Sequence, residues 1–168
     1  MSKEVFIGNR IKERIEALGL KPHPEGGYFR EVFRSKHLVK PMDQREERSA
    51  LTAIYFLLAA GQCSRWHRVL SDEVWVHLEG DMLELCCFEE QGGRMARIRL
   101  GQHPVPDTVP MHVVPAGVWT TAVPMGNYSL AGCFVGPGFD FKDFRLAADD
   151  PDKAELIRKQ GPEFVQYL

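Results

Sequence analysis

Between residues 28 and 136 the chain never sustains a helical period. Nine short apolar or alternating runs follow one another: YFREVFRS, SALTAIYFLLA, CSRWHRVL, EVWVHLEG, MLELCCFE, RMARIRLG, MHVVPAG, VWTTAV and YSLAGCFVG. Each has about the length of a strand, and clusters of Gly, Pro, Asp, Ser or Asn separate them. Short strands punctuated at near-regular spacing predict an all-β sandwich or barrel. A parallel α/β sheet would need helices between the strands, and the pattern has none. Helices are expected only at the ends. Ile7, Ile11, Ile15 and Leu18 recur at helical spacing over about residues 7–19, with Gly19 as the stop. The stretch DDPDKAELIRKQG predicts a short helix over about 151–160. Its N-cap is Asp149 or Asp150, Pro151 sits in its first turn, and Gly161 ends it. With 168 residues, no repeat and no low-complexity linker, the chain reads as one domain with its barrel over about 27–146.

Composition narrows the function. A net charge of -2 gives no electrostatic footprint for a nucleic-acid polymer or an anionic membrane. The first residues are too charged for a signal peptide, and no apolar run approaches a membrane span, which places the chain in the cytoplasm. Cysteines 63, 86, 87 and 133 form no metal-binding motif. Cys86 and Cys87 are neighbours on a strand and point to opposite faces, so the four read as small buried hydrophobes in a reducing compartment.

The densest chemistry lies in QCSRWHRVLSDEVWVHLEGD, residues 62–81. Read as two strands joined at Leu70-Ser71-Asp72, regular alternation sets Cys63, Arg65, His67 and Val69 on one face. On the returning strand Glu73, Trp75 and His77 share a face, opposite Val74, Val76 and Leu78. Unpaired buried charge is costly, so a face of Arg, His, Glu, Trp and His lines a polar cavity rather than a plain core. The stretch PHPEGGYFREVFRS, residues 22–35, is the second concentration. Its prolines hold the chain extended, and Gly26-Gly27 permit a sharp reversal or a close backbone approach. Alternation then sets Tyr28, Arg30, Val32 and Arg34 against Phe29, Glu31 and Phe33.

Together these residues resemble a known family. His67, Glu73 and Gly80 fit the first cupin motif, and VPAGVW at 114–119 resembles the second. The ordered set PHPEGGYFRE, RSALTAIYFLL, SRWHRVLSDEVW, GDMLEL, VPAGVW and GCFVGPGFDF is similar to the cupin_5 family, formerly known only as a domain of unknown function, DUF985. The likeness runs from about residue 17 to about residue 146. It implies a double-stranded β-helix, the cupin jelly-roll barrel, around a small-molecule pocket, and by analogy an enzyme similar to sugar epimerases. It also implies a homodimer paired through sheet edges. Two ligand positions of metal-binding cupins depart from the pattern, because Val69 and Thr120 stand where histidines are usual. His67 and Glu73 remain, and His77 is the nearby residue that would complete a divalent metal site. No cofactor is the leading expectation, and a divalent metal the alternative.

A metal-free epimerase needs a base and an acid. His67 suits the base, and Glu73, ahead of Asp72, suits its orienting carboxylate; Asp72 serves first as a turn cap. Tyr55 or Tyr128 would be the acid. Arg30 and Arg65 are the handles for a phosphate-bearing substrate, Trp75 stacks a sugar or base, and Trp66 and Trp119 pack in the core. In a cupin-like barrel Ser64 and Thr120 flank the same pocket, and His23, Glu25, Tyr28 and Arg30 line its mouth. His103 and His112 receive no role. The leading function is an isomerase or epimerase acting on a sugar or nucleotide-sugar-like molecule. A metal-dependent enzyme and a non-catalytic ligand-binding protein are the alternatives.

Overall fold

The structure is a computed structural model that describes residues 3–102 and 105–168, with side chains from residue 8 onward. His103 and the side chain of Ile7 lie outside the described residues. Helix α1 (Lys3–Leu18) precedes thirteen strands. The first seven are β1 (Lys21–Pro22), β2 (Tyr28–Arg34), β3 (Leu38–Val39), β4 (Arg48–Ser49), β5 (Thr52–Ala59), β6 (Ser64–Val69) and β7 (Asp72–Gly80). Then come β8 (Leu83–Glu89), β9 (Arg94–Leu100), β10 (Met111–Val114), β11 (Trp119–Pro124), β12 (Tyr128–Gly136) and β13 (Phe144–Leu146). Helix α2 (Pro151–Arg158) follows, and a 3-10 turn over Pro162–Tyr167 closes the chain. The nine longer runs of the sequence are all strands. The added ones are only two or three residues long, too short to carry a period.

Two antiparallel sheets face each other. The first runs β1-β2-β5-β12-β7-β10 and the second β13-β6-β11-β8-β9, while β3 and β4 pair separately. Neighbours such as β5 and β12, or β6 and β11, are far apart in sequence, which is the jelly-roll arrangement of a double-stranded β-helix. Alternation decides what lies inside. Phe56, Leu58 and Trp75 of the first sheet pack against Leu83, Leu85, Cys87 and Ala122 of the second. The cysteines are free thiols, three of them buried. No described helix is long and apolar enough to cross a membrane.

Each sheet is covered on its outer face by one end of the chain. Helix α1 lays Ile11, Ile15 and Leu18 over Tyr28, Tyr55, Leu57, Tyr128 and Leu130. The helix ends in a Schellman motif: Gly19 takes φ 62°, its N–H bonds the Glu16 carbonyl at 3.1 Å, and Leu20 N–H bonds the Ile15 carbonyl at 2.9 Å. On the second sheet, Ile157 and Phe164 cover Trp66 and Trp119. The cap of α2 is Asp150, whose side chain accepts from Lys153 N–H.

Among the described residues three register shifts break the parity that the sequence suggests; one, at Leu78 in β7, lies beyond the inward Glu73 and Trp75, and the other two bear on the cavity. In β2 the register passes from Glu31↔Ile54 to Phe33↔Ala53, so Val32 is an extra residue. In β6 it passes from Ser64↔Ala122 to His67↔Thr120, three steps against two. A bulge puts two residues opposite one and turns the following side chains over. The bulges in β2 and β6 lie at the cavity.

Candidate functional site

A cavity of about 260 Å³ lies between the two sheets. Its walls are mainly apolar, with Phe29, Ile54, Phe56, Val69, Trp75 and Val135 among them, and Phe139 and Phe141 at its mouth. Two histidines and two glutamates, His23, Glu25, His67 and Glu73, lie on its lining, with Glu31, Arg34, Cys133 and Asp140 also on it.

Glu25 enters from outside the barrel walls. Strands β1 and β2 pair through Pro22↔Tyr28, so His23 to Gly27 form the hairpin loop between them. The loop is closed by Gly26 N–H to the His23 carbonyl and His23 N–H to the Gly27 carbonyl, both 3.0 Å. Gly26 takes φ 116°, and a Cβ there would overlap the Cys63 carbonyl oxygen. Only glycine allows so close an approach to β6. Two bonds tie the loop to that strand: Arg65 N–H to the Glu25 carbonyl at 2.8 Å, and Arg65 Nη2 to the Pro24 carbonyl at 2.7 Å. Arg65 therefore faces the loop backbone rather than a substrate.

The β6 bulge brings Ser64 onto the same side as His67. Ser64 Oγ donates to Glu25 Oε1 at 2.9 Å and lies 3.2 Å from His67 Nδ1. His67 Nδ1 is 2.8 Å from the Arg65 carbonyl, an acceptor, so that nitrogen carries the proton and Nε2 is left bare. Bare Nε2 lies 3.5 Å from Glu25 Oε2. His23 Nδ1, which accepts Glu25 N–H at 3.3 Å, lies 3.4 Å from the same oxygen. Glu25 Oε2 thus faces two acceptor nitrogens, an arrangement satisfied when the carboxyl keeps its proton. Electrostatics points the same way: burial pushes Glu25 up to about 8, against smaller opposing effects from Ser64 and Arg65. Burial lowers His67 below the usual imidazole range, and burial followed by the charge of His67 lowers His23 to about 4. Glu73 rises to about 7, again chiefly through burial, and its Oε2 accepts from Trp75 Nε1 at 2.8 Å.

Other expected residues go elsewhere. Tyr55 alternates with inward Ile54 and Phe56, so its ring packs under α1 with Tyr28 and Tyr128. Tyr128 hydroxyl donates to Glu79 at 2.6 Å. Among the described residues no tyrosine lines the cavity, which places both candidate acids away from it. Arg30 shares that outer face and caps α1 through the Leu18 carbonyl at 3.0 Å. His77 does not line the cavity; its Nε2 meets the Asp81 carbonyl at 2.9 Å. Thr120 lies behind His67 and Glu73 in a void of about 10 Å³ and bonds toward Cys87 Sγ. Asp72 accepts Ala116 N–H, and Trp66 and Trp119 pack under the C-terminal segment. Among the described residues no group of three or more His, Cys, Asp or Glu side chains is placed to hold a metal ion, so the residues do not fit the divalent metal alternative.

Sequence reasoning missed two parts of the site. Arg34 reaches the cavity because the Val32 bulge reverses its face, and it holds Glu31 through two bonds of 2.9 and 2.7 Å. The other part is Phe139-Asp140-Phe141, which follows β12. Phe139 N–H bonds Thr52 Oγ1 at 2.9 Å, and Asp143 anchors the segment in a buried ion pair with Arg48, both contacts 2.9 Å. An arginine paired with a glutamate three residues earlier on one strand face was the available sign of the bulge.

A jelly-roll barrel with ionisable side chains in an apolar cavity between its sheets defines a cupin. The oxalate decarboxylase of Lactobacillus farciminis shares this fold at a TM-score of 0.55 and 15% identity, over 77% of this chain and 34% of that one. More narrowly, residues 12–147 match the family described as Cupin superfamily (DUF985), and the chain belongs to that family. It is similar to protein SO0799 from Shewanella oneidensis, with 32% identity, a TM-score of 0.79, and coverage of 94% of this chain and 95% of that one. It is also similar to YML079W of Saccharomyces cerevisiae, 25% identical over 94% of this chain and 84% of the yeast protein.

Proposed function

We propose that the cavity is an acid–base site and that the protein is an isomerase or epimerase of a small carbonyl compound. The observation that carries this is the facing pair at the cavity: the bare Nε2 of His67 lies 3.5 Å from a Glu25 carboxyl that burial keeps protonated. Near neutral pH the pair offers one base and one acid, the requirement for moving a proton next to a carbonyl. His67 Nε2 takes the C–H proton and the electrons pass to the carbonyl oxygen. The electron pair then folds back as a Glu25 carboxyl proton goes to carbon, and the imidazolium returns its proton to the Glu25 carboxylate 3.5 Å away, restoring both groups. Glu25 replaces the tyrosines as acid, and Glu73 holds the imidazolium that forms. Aromatic and aliphatic walls suit one ring. A volume of about 260 Å³ is at the small end for ligand pockets, so the substrate is a single ring, such as a keto-sugar, rather than a whole nucleotide sugar.

The test is solvent deuterium entry into a substrate carbon, followed by NMR across a panel of monocyclic keto-sugars and cyclic ketones. Exchange is expected to fall about 100-fold or more in His67→Gln and Glu25→Gln. A ligand that binds in the cavity but never exchanges would refute catalysis and make this a binding protein.

A homodimer belongs to the same reading, through a sheet face rather than a sheet edge. Phe33, Phe134 and Met111 are 50%, 37% and 55% exposed on the outer face of the first sheet. They are linked across strands through Ala53, Val74 and Val76. An apolar surface continuous over five strands is the kind that a second copy covers.

A further inference from the structure

A second cavity, of about 640 Å³, lies where the free edges of the two sheets meet. Strand β9 ends the second sheet and β10 the first, and their lining residues Ala96, Ile98 and Val113 make an apolar wall with Val118. Arg68 and Arg94 both line it. Every other arginine among the described residues meets a carboxylate or a carbonyl oxygen. These two have neither, and Arg68 Nε is buried without any hydrogen-bond partner. A guanidinium left so is costly unless something outside the chain satisfies it.

Arg68 is also held in place: its guanidinium carbon sits 4.9 Å from the centre of the Trp119 ring, a cation–π contact. The acids on the lining do not cancel the pair. Glu90 is occupied, accepting from Trp119 Nε1 at 2.5 Å and from Lys153 Nζ at 2.7 Å. That leaves Glu89 against two arginines. The first cavity is separate: His67 and Arg68 are adjacent on β6, and only the void of about 10 Å³ touches both.

We propose that this second cavity binds a small organic anion, a carboxylate or phosphate head held by Arg68 and Arg94 with an apolar body against Ile98, Val113 and Val118. Two arginine forks and an apolar wall select that combination, because the guanidinium edge matches planar oxyanions in pairs of bonds.

The test titrates the full ¹⁵N-labelled chain with phenyl phosphate, benzoate and inorganic phosphate, reading the Trp119 indole N–H beside Arg68. A saturable shift is expected with phenyl phosphate or benzoate, and the tighter of the two identifies the head group. Arg94→Gln, an exposed change that leaves the core intact, should weaken binding about tenfold or more, as loss of a charged hydrogen-bond donor does. Arg68→Gln should do the same, and His67→Gln should leave it unchanged. The proposal is overturned by no saturable shift at millimolar ligand, or by unchanged affinity in Arg94→Gln. Inorganic phosphate binding as tightly as phenyl phosphate would overturn the apolar contact.

Discussion

Glu25 gives a measurement that tests the site without knowing the substrate. Burial holds its carboxyl at about 8 in the folded chain, against an ordinary value of 4.5. Between those values the folded protein binds a proton that the unfolded chain has lost, so stability must fall as pH rises. The histidines oppose this at lower pH: His23 and His67 are lowered, so folding sheds their protons and stability climbs toward pH 6.5. They are neutral in both states only above about pH 7.5, and what they still contribute between pH 6.5 and 7.5 is common to wild type and a Glu25 variant, so it cancels in the comparison. From pH 6.5 to 8.0 the folded carboxyl goes from almost fully to half protonated, which integrates to about 1.5 kcal/mol of lost stability. Glu25→Gln keeps the shape and removes the titration. Urea unfolding of both proteins at the two pH values, with Glu73 present in each, gives the difference of slopes. If wild type and Glu25→Gln change in parallel, within about 0.5 kcal/mol, Glu25 is ionised in the fold and the acid role collapses.

Other expectations follow from the same geometry. Asp143→Asn breaks the buried pair with Arg48 and should lower stability by about 3 kcal/mol, with faster hydrogen exchange confined first to Phe139–Phe141. Gly26→Ala drives a methyl into the Cys63 carbonyl and should cost more than about 1 kcal/mol in thermal denaturation; an unchanged midpoint would mean the loop does not sit against β6. Proton-transfer activity should decline above about pH 8 as Glu25 ionises, and a rate that keeps rising there would exclude it as the acid. Sedimentation should give a dimer that Phe134→Asp converts to monomer, and a wild-type monomer at micromolar concentration would remove the sheet-face interface.

The barrel was legible because alternation survives over most strands: Trp75 and Glu73 do share an inward face, as do Phe56 and Leu58. Individual site residues were less so. Regular parity paired Arg65 with His67, but the bulge in β6 gives that side to Ser64 and sends Arg65 to the loop backbone. In β2 the same device turned Arg34 inward, off the face it would otherwise share with Arg30, while Arg30 itself lies on the side that α1 covers. A bulge is a change in the count of partners across a strand pair, and one strand's sequence does not contain its partner. The tyrosines failed for a different reason. Both were aromatic positions that suited a cavity as well as a helix-covered face, and only the packing of α1 decides between them.

The hairpin loop that delivers Glu25 has a consequence for how such a site changes over time. His67, the proposed base, and Glu73 stand on barrel strands, where each residue is fixed by a register that every neighbour shares. Glu25, the proposed acid, stands on a five-residue loop that meets the barrel through its own backbone. Its length, tip residue and proton affinity can therefore drift while the barrel stays the same. A change in the segment between Pro22 and Tyr28 is thus expected to alter the proton affinity inside the cavity while the strand register around His67 and Glu73 stays as it is.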